Sequence, residues 1–381
     1  VNLDTVRIRV HQTIDDINAS EWNRLAGDDP FLKHEFLAAL EHSGSACAAS
    51  GWKPQYLTCT DGSGRLVGAL PLYLKSHSLG EYVFDWAWAD AWQRTGLPYY
   101  PKLTSAVPFS PVPGQRLLID AQIEPDAVTQ ALTGFCIELA GTSRASSVHC
   151  LFPQEQELRH WTQQGFLLRK DCQYHWHNHG HTDFENWLAT FTAEKRKKVH
   201  RERRRIREAG IDFISFGGND LDETLLDTIY TFYADTYHKR GRTPYLTREF
   251  FSEIVRTLPD SLLIILAKHR NDPVAAAICF RNRDTLYGRH WGCGPEFHSL
   301  HFETCYYQGI DYCLANGLNT FNPGTQGEHK LARGFEPTPT WSAHWIADKR
   351  FRQAVSDFLR RETAMIDVYM EEAKQHLPFH K

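Results

Sequence analysis

No stretch of eighteen or more apolar residues occurs in this 381-residue chain, so no segment has the length and hydropathy of a membrane-spanning helix. Its nine cysteines are odd in number and contain no Cys-x-x-Cys pair. Neither a disulfide framework nor a zinc ribbon is expected. Thiols set in apolar runs, such as Ala277-Ile278-Cys279-Phe280, read as reduced core residues of a cytoplasmic protein. The chain lacks Gly-x-Ser-x-Gly, Walker A and dinucleotide fingerprints. The start, Val1-Asn-Leu-Asp-Thr-Val-Arg7, has no basic stretch leading into an apolar one, so no secretory signal is expected, and the missing initiator Met implies processing or trimming. His175, His177, His179 and His181 alternate as on one strand face, but no Cys or carboxylate completes a metal-binding spacing, so no metal is expected.

What the chain does have is one concentrated block of positive charge. The fourteen residues from Glu194 to Arg207 hold nine Lys or Arg against two Glu, while the whole chain has net charge −4. The other residues are therefore acidic on balance. Such asymmetry suggests a site for phosphates on a nucleic acid, a nucleotide or a lipid headgroup; a solvated helix face is the plainer alternative. With 42% hydrophobic residues, 11 Trp, 22 Phe and 15 Tyr, the chain can fill the cores of two ordinary domains.

Hydrophobic periodicity alternates between strand and helix. Helices are expected at 15–25, 33–42, 124–140 and 154–164, and strands at 55–60, 66–74, 82–88 and 146–152. Five prolines in 98–113 predict irregular chain. In the second half a single helix is expected over 183–209, ended by Gly210, with Trp187, Phe191, Val199 and Ile206 as its apolar seam. Residues 167–177 read as either a strand or a hairpin. Strands at 211–216, 262–268, 274–281, 285–292, 318–321 and 341–346 alternate with helices at 221–239, 247–258, 300–316 and 349–376. Both halves repeat the order strand, tight turn, strand, aromatic strand, helix, short strand, which suggests a diverged duplication. The expected domains are 1–181 and 182–381.

Four segments carry a resemblance. They are the basic helix leading into the strand from Ile211; the aromatic strand Leu286-Tyr287-Gly-Arg289-His290-Trp291-Gly292; the helix Phe302-Glu303-Thr-Cys-Tyr-Tyr-Gln-Gly-Ile-Asp-Tyr312; and the segment from Asn322-Pro-Gly through Lys330-Leu-Ala-Arg333-Gly-Phe335. Together they resemble bacterial Fem-like proteins of the GNAT superfamily, a group linked to peptidoglycan biosynthesis or recognition. The resemblance implies an α/β fold with a tandem pair of GNAT-like domains, mixed central sheets and flanking helices. It implies an N-acyltransferase whose better-kept site lies in the second half. The donor would be acyl-CoA or aminoacyl-tRNA, with no metal. The acceptor would be an amine on a small molecule or cell-wall precursor, and tRNA a partner. One departure stands out. GNAT enzymes that use acetyl-CoA carry a Gly-rich pyrophosphate loop, and the corresponding stretch here is Gly292-Cys-Gly294-Pro295.

Acyl transfer to an amine needs a group that removes a proton and donors that steady the developing oxyanion. Glu303, His290 and Lys330 are the catalytic candidates. Glu303 could instead simply favour its helix dipole, and His290 could be a packed core residue. Tyr287, Arg289, Arg333, Tyr245 and Arg242 are substrate-binding candidates. Gly292, Gly294 and His301 are candidates for the acyl donor. Lys195, Lys198, Arg201 and Arg204 mark the basic helix. Asp85, set among aromatics in the first half, fits either a binding wall or a structural repeat. The alternative from another class is a non-catalytic GNAT-like protein whose basic helix binds nucleic acid or anionic lipid.

Overall fold

The computed structural model describes residues 6–325 and 327–380. The first five residues, and with them most of the stretch examined for a secretory signal, lie outside the described residues, as do Gln326 and Lys381. Two compact units emerge, Val1–Asp171 with Pro339–Asp367, and Cys172–Thr338 with Val368–Lys381. The sequence expectation placed one cut near residue 181 and kept the C-terminal segment in the second domain. Instead, Ser342–Ile346 pair antiparallel with Ser147–Leu151 of the first unit. The helix Lys349–Gln375 brings Val355 and Leu359 into a cluster with Trp88 and Trp92 of that unit. Aromatic contact fixes this assignment, and no local sequence signal announces it.

In the first unit, Arg7–His11, Tyr56–Thr60, Leu66–Leu70 and Leu118–Ile119 form an antiparallel sheet in that order. The helix Pro125–Thr142 lays Val128, Leu132 and Cys136 on a core with Leu57, Val67, Leu103 and Trp161. A Cβ on Gly68 would come within 2.4 Å of Val128 Cγ1, so the missing side chain permits this helix–strand contact. The strand Lys102–Ser105 runs parallel to Ser147–Leu151.

The second unit is built on a meander of Ile211–Gly217, Leu262–His269, Asp272–Arg281 and Thr285–Cys293, all antiparallel neighbours. Thr285, Leu286 and Tyr287 then pair in parallel with Thr320, Phe321 and Asn322. Both units thus contain a short parallel pair next to antiparallel strands. Trp176, Trp187, Phe191, Val199, Tyr307 and Phe321 fill the second core. The expected seam of the basic helix is buried at Trp187, Phe191, Val199 and Ile206.

Several local expectations change. The aromatic stretch 82–88 is not a strand: it leads into the helix Trp86–Gln93, whose Trp88 and Trp92 recur at helical spacing. A strand, Lys102–Ser105, lies within the Pro-rich region. The long helix is two helices, Phe184–Leu188 and Ala193–Glu208. The break falls where Thr192 N donates to Pro378 O and Phe191 bridges Phe379. Finally, the helix entered at Leu300 contains a π turn over Glu303–Tyr307.

Candidate functional site

The strand Thr285–Cys293 keeps its parallel neighbour only as far as Tyr287. Beyond that residue it continues along Asp272–Arg281, with a register shift between Ile278 and Cys279. Ile278 faces His290 and Cys279 faces Gly288, so Arg289 is the extra, bulged residue. A bulge bends its strand and re-aims a side chain, and such irregularities concentrate next to active sites. The parting of the two parallel strands therefore has a cation at its mouth.

Lys330 reaches this place from the 3-10 helix Glu328–Arg333. It is 1% exposed, and its Nζ donates to the Gly324 carbonyl at 2.5 Å. Burial, reinforced by the Arg289 cation, brings its pKa down to about 7. No carboxylate pairs with it among the described residues. Asn322 Oδ1 accepts from Gly324 N at 3.0 Å and so shapes the turn that presents this carbonyl. Gln173 Oε1 meets His175 Nε2 at 3.0 Å and accepts from Asn322 Nδ2 at 3.4 Å. Burial holds His175 neutral, down to about 3. From sequence, Asn322 appears only in the turn that opens the Lys330 segment and His175 only in the alternating histidine series weighed for metal; nothing local marks Gln173.

His301 lies against Trp291 and Tyr306, at ring separations of 5.3 Å each, and 6.1 Å from His329. Tyr306 Oη and His329 Nε2 are 2.8 Å apart. Burial, then His329 and Lys330, lowers His301 to about 4. Lys330, Arg289, His301 and His329 thus share one neighbourhood. A π turn lies in the adjoining helix, a feature often found at functional sites.

Other candidates have different roles. His290 is half-buried as a residue, yet its ring is walled by Tyr233 at 4.9 Å and Phe251 at 6.0 Å. Burial drives it down to about 3, so the ring is neutral and only weakly basic near pH 7. Glu303 Oε1 receives Arg203 Nη2 at 3.1 Å and Gln308 Nε2 at 2.8 Å, while Arg203 also meets Asp311 at 2.6 Å. Arg333 is 3% exposed, donates to Glu202 Oε1 and to the His329 carbonyl, both at 2.8 Å, and lies 3.4 Å over the Phe302 ring. Tyr307 donates to the other Glu202 oxygen at 2.5 Å. Glu303 and Arg333 therefore pin the inner face of the basic helix. Tyr287 is buried where the strands part, and Asn282 Nδ2 donates to its hydroxyl at 3.4 Å. Tyr245 packs on Tyr237 at 5.7 Å, and Arg242 is exposed on the same loop, away from the Lys330 contacts.

The glycines expected at the acyl donor have other work. A Cβ at Gly292 would sit 1.9 Å from the Phe232 carbonyl oxygen, so this glycine admits the helix Glu223–His238 against the strand. Gly294 N donates to Val274 O at 3.0 Å, and Pro295 has no N–H to offer. This stretch does not have the free amides of a pyrophosphate cradle.

A profile for FemAB-like proteins, described by peptidoglycan biosynthesis/recognition, matches residues 13–381. The chain belongs to the FemAB-like family. No curated protein matches the sequence. Among solved structures, FemX is similar at TM-score 0.55 and 12% identity, covering 92% of this chain and 100% of FemX. The C-terminal domain of a putative lysylphosphatidylglycerol synthetase from Agrobacterium fabrum follows at 0.54 and 10%, covering 90% and 95%. L-PGS from Bacillus licheniformis gives 0.52 and 11%, covering 87% and 97%. These likenesses concern the fold, the expected α/β arrangement of sheets flanked by helices.

The basic helix of the FemAB-like chain has two faces. Val199, Glu202 and Ile206 are buried, and Arg203 is mostly so. Arg201 and Arg204 are exposed, and Lys195 and Lys198 are half-buried. On the outer side a concavity of about 250 Å³ is lined by Ala193, Arg196, Lys197, His200, Arg201 and Arg204.

Proposed function

We propose that the second unit is an N-acyltransferase that moves an acyl or aminoacyl group from an activated donor, acyl-CoA or aminoacyl-tRNA, to an amine of a cell-wall precursor or small metabolite. The observation that carries this reading is Lys330: a buried amine near pKa 7, beside a bulged arginine, where two parallel strands part. A group whose pKa matches the working pH is suited to proton transfer. Neutral Lys330 accepts the proton that the attacking ammonium must lose. The nitrogen then bonds to the acyl carbon, and the bond from that carbon to the donor's sulfur or ribose oxygen breaks. Protonated Lys330 returns the proton to the leaving atom. Arg289 supplies positive charge toward the developing oxyanion. Tyr287 and His301 line the approach. Glu303 and Arg333 are positioning residues, because they hold the helix and the segment that carry the site. The turnover needs neither a covalent enzyme intermediate nor a metal.

The test is to incubate the full chain with acetyl-CoA or aminoacylated tRNA and a panel of amine acceptors, and to follow transfer of labelled acyl group. Transfer should occur with one donor and fall at least about 100-fold in Lys330→Met, in the range typical for loss of a general acid–base group. Undiminished transfer by that variant would overturn the assignment. Ligand binding without transfer under any donor would favour a non-catalytic role.

A further inference from the structure

We propose that Gln173 is a positioning residue for the Lys330 amine, acting through the side chain of Asn322 and the carbonyl of Gly324. This role for Gln173 rests on the transferase reading, which gives Lys330 its importance. It assigns a purpose to a buried chain of amides that the acyl-transfer steps themselves leave unused.

Strand pairing brings the chain together. Thr320 and Phe321 pair with His177 and Trp176 on one side, and with Thr285 and Leu286 on the other. Asn322 is the last residue of the parallel pair, opposite Tyr287, and its side chain reaches Gln173. Gln173, His175, Asn322 and Lys330 are only 3%, 6%, 2% and 1% exposed. At that depth a polar group left without a partner is costly.

The direction of every bond follows from one end. Gly324 N can only donate, so Asn322 presents Oδ1 to it, at 3.0 Å. The Asn322 amide nitrogen therefore faces Gln173, which presents Oε1 at 3.4 Å. That oxygen also meets His175 Nε2 at 3.0 Å, so Nε2 carries the ring proton. One proton arrangement satisfies all of these groups. Two donors, from Asn322 and His175, converge on the side-chain carbonyl of residue 173.

At the far end of the chain is the amine. Among the described residues, the Gly324 carbonyl is the one hydrogen-bond acceptor of Lys330 Nζ, at 2.5 Å. Gly324 has φ +96°, and a Cβ there would lie 3.5 Å from the Gly288 carbonyl, next to the bulged Arg289. The Asn322 side chain fixes where the Gly324 peptide points, and the carbonyl fixes where the ammonium sits. A bond to the charged form favours that form, so a displaced carbonyl lowers the pKa of the amine.

Several titratable or charged groups face Lys330. They are Arg289 from the bulge, Cys305 from the π turn, His175 from the strand Leu167–His177, His301, and His329 and Arg333 from its own 3-10 helix. A change at residue 173 alters none of them. The pKa of Lys330 in such variants therefore reports the carbonyl, not a neighbouring charge.

The experiment titrates the full chain labelled with carbon-13 at lysine Cε, with Lys330→Met identifying the Lys330 signal. Gln173→Met keeps the volume and removes the acceptor; Gln173→Glu keeps an acceptor oxygen. In Gln173→Met the Lys330 midpoint should fall by about 0.5 to 1 unit, the size of a charge-assisted hydrogen bond lost in part. In Gln173→Glu it should stay at or above that of the parent, because Asn322 is still held and an ionised Glu favours the ammonium. Transfer at pH 8 by Gln173→Met should lose at least about fivefold in kcat, with the donor KM within about twofold, since a misplaced proton carrier is felt in the chemical step. A smaller midpoint shift in Gln173→Met, or an equal fall in Gln173→Glu, would overturn the proposal. The shift is read wherever the parent midpoint lies. A parent midpoint near that of free lysine, about 10.4, would overturn Lys330 as the proton carrier, while the shift still decides the role of Gln173. Should Gln173→Met not fold, Asn322→Ala decides through the next link, and an unchanged midpoint there counts against the proposal.

Discussion

Cutting the inner anchor of the basic helix should cost more than its outer charges would suggest. Glu202 and Arg333 form a pair at 2.8 Å with side chains only 7% and 4% exposed. Tyr307 donates to the second oxygen of Glu202. Glu202→Ala leaves the Arg333 guanidinium buried without a carboxylate, with the His329 carbonyl, the Phe302 ring and the Tyr307 hydroxyl as neighbours. Removing one partner of such a pair typically costs about 3–5 kcal/mol. The Tyr307 hydroxyl also loses its acceptor, for roughly a further 1 kcal/mol. Arg333→Ala should cost somewhat less, because Glu202 keeps Tyr307. Replacing both with apolar residues of similar volume, E202M/R333M, removes both desolvated charges and should cost less than either single change. Urea unfolding of the parent, E202M, R333M and E202M/R333M, followed by tryptophan fluorescence, gives the cycle. The expected result is a coupling of at least about 2 kcal/mol between the two positions. Additive effects, or single changes costing under about 1 kcal/mol, would refute the claim that this pair holds the helix in place.

Three further outcomes follow from the same geometry. Gly292→Ala places a methyl 1.9 Å from a backbone oxygen that cannot swing away, so it should destabilise the second unit by about 1–3 kcal/mol, read as a lower denaturation midpoint. His290→Phe should leave transfer within about threefold of the parent, because a ring held neutral among Tyr233 and Phe251 moves no proton near pH 7; a loss of the size expected for a general base would restore His290 as a candidate. Glu303→Gln keeps an acceptor for Gln308 but removes the charge facing Arg203, so it should lower stability more than it lowers transfer in the molecules that remain folded.

Long elements with strong periodicity were legible from sequence. The meander and the helices Arg248–Thr257 and Gln308–Asn316 follow directly from alternation and from cap residues such as Thr247 and Gly317. The aromatic stretch near Trp86 misled, because closely spaced tryptophans fit a strand as well as the helix they form. The break at residues 189–192 was invisible, since it depends on Phe379, nearly two hundred residues away. The same holds for the site. Lys330 could be picked from its motif, but its burial and its neighbour Arg289 come from a bulge and a turn. Gln173 could not be picked at all, and His175 only as one of four alternating histidines, because only strand pairing brings that strand to Phe321 and Asn322. Glu303 was expected as a general base and Arg333 as a substrate-binding cation. Their partners, Arg203 and Glu202, lie on a helix distant in sequence, so these ion pairs could not be read locally.

The central claim is that Lys330 carries the proton in acyl transfer, and its pH dependence tests that claim most directly. Burial places the Lys330 pKa near 7, and the reaction uses its neutral form first. Single-turnover transfer with a saturating donor should therefore rise about tenfold per pH unit below 7 and level off above it. Lys330→Arg, which stays charged throughout, should be slow and lack this limb. A parent rate that is flat between pH 5.5 and 8, or an Arg variant that keeps both the rate and the limb, would contradict the account.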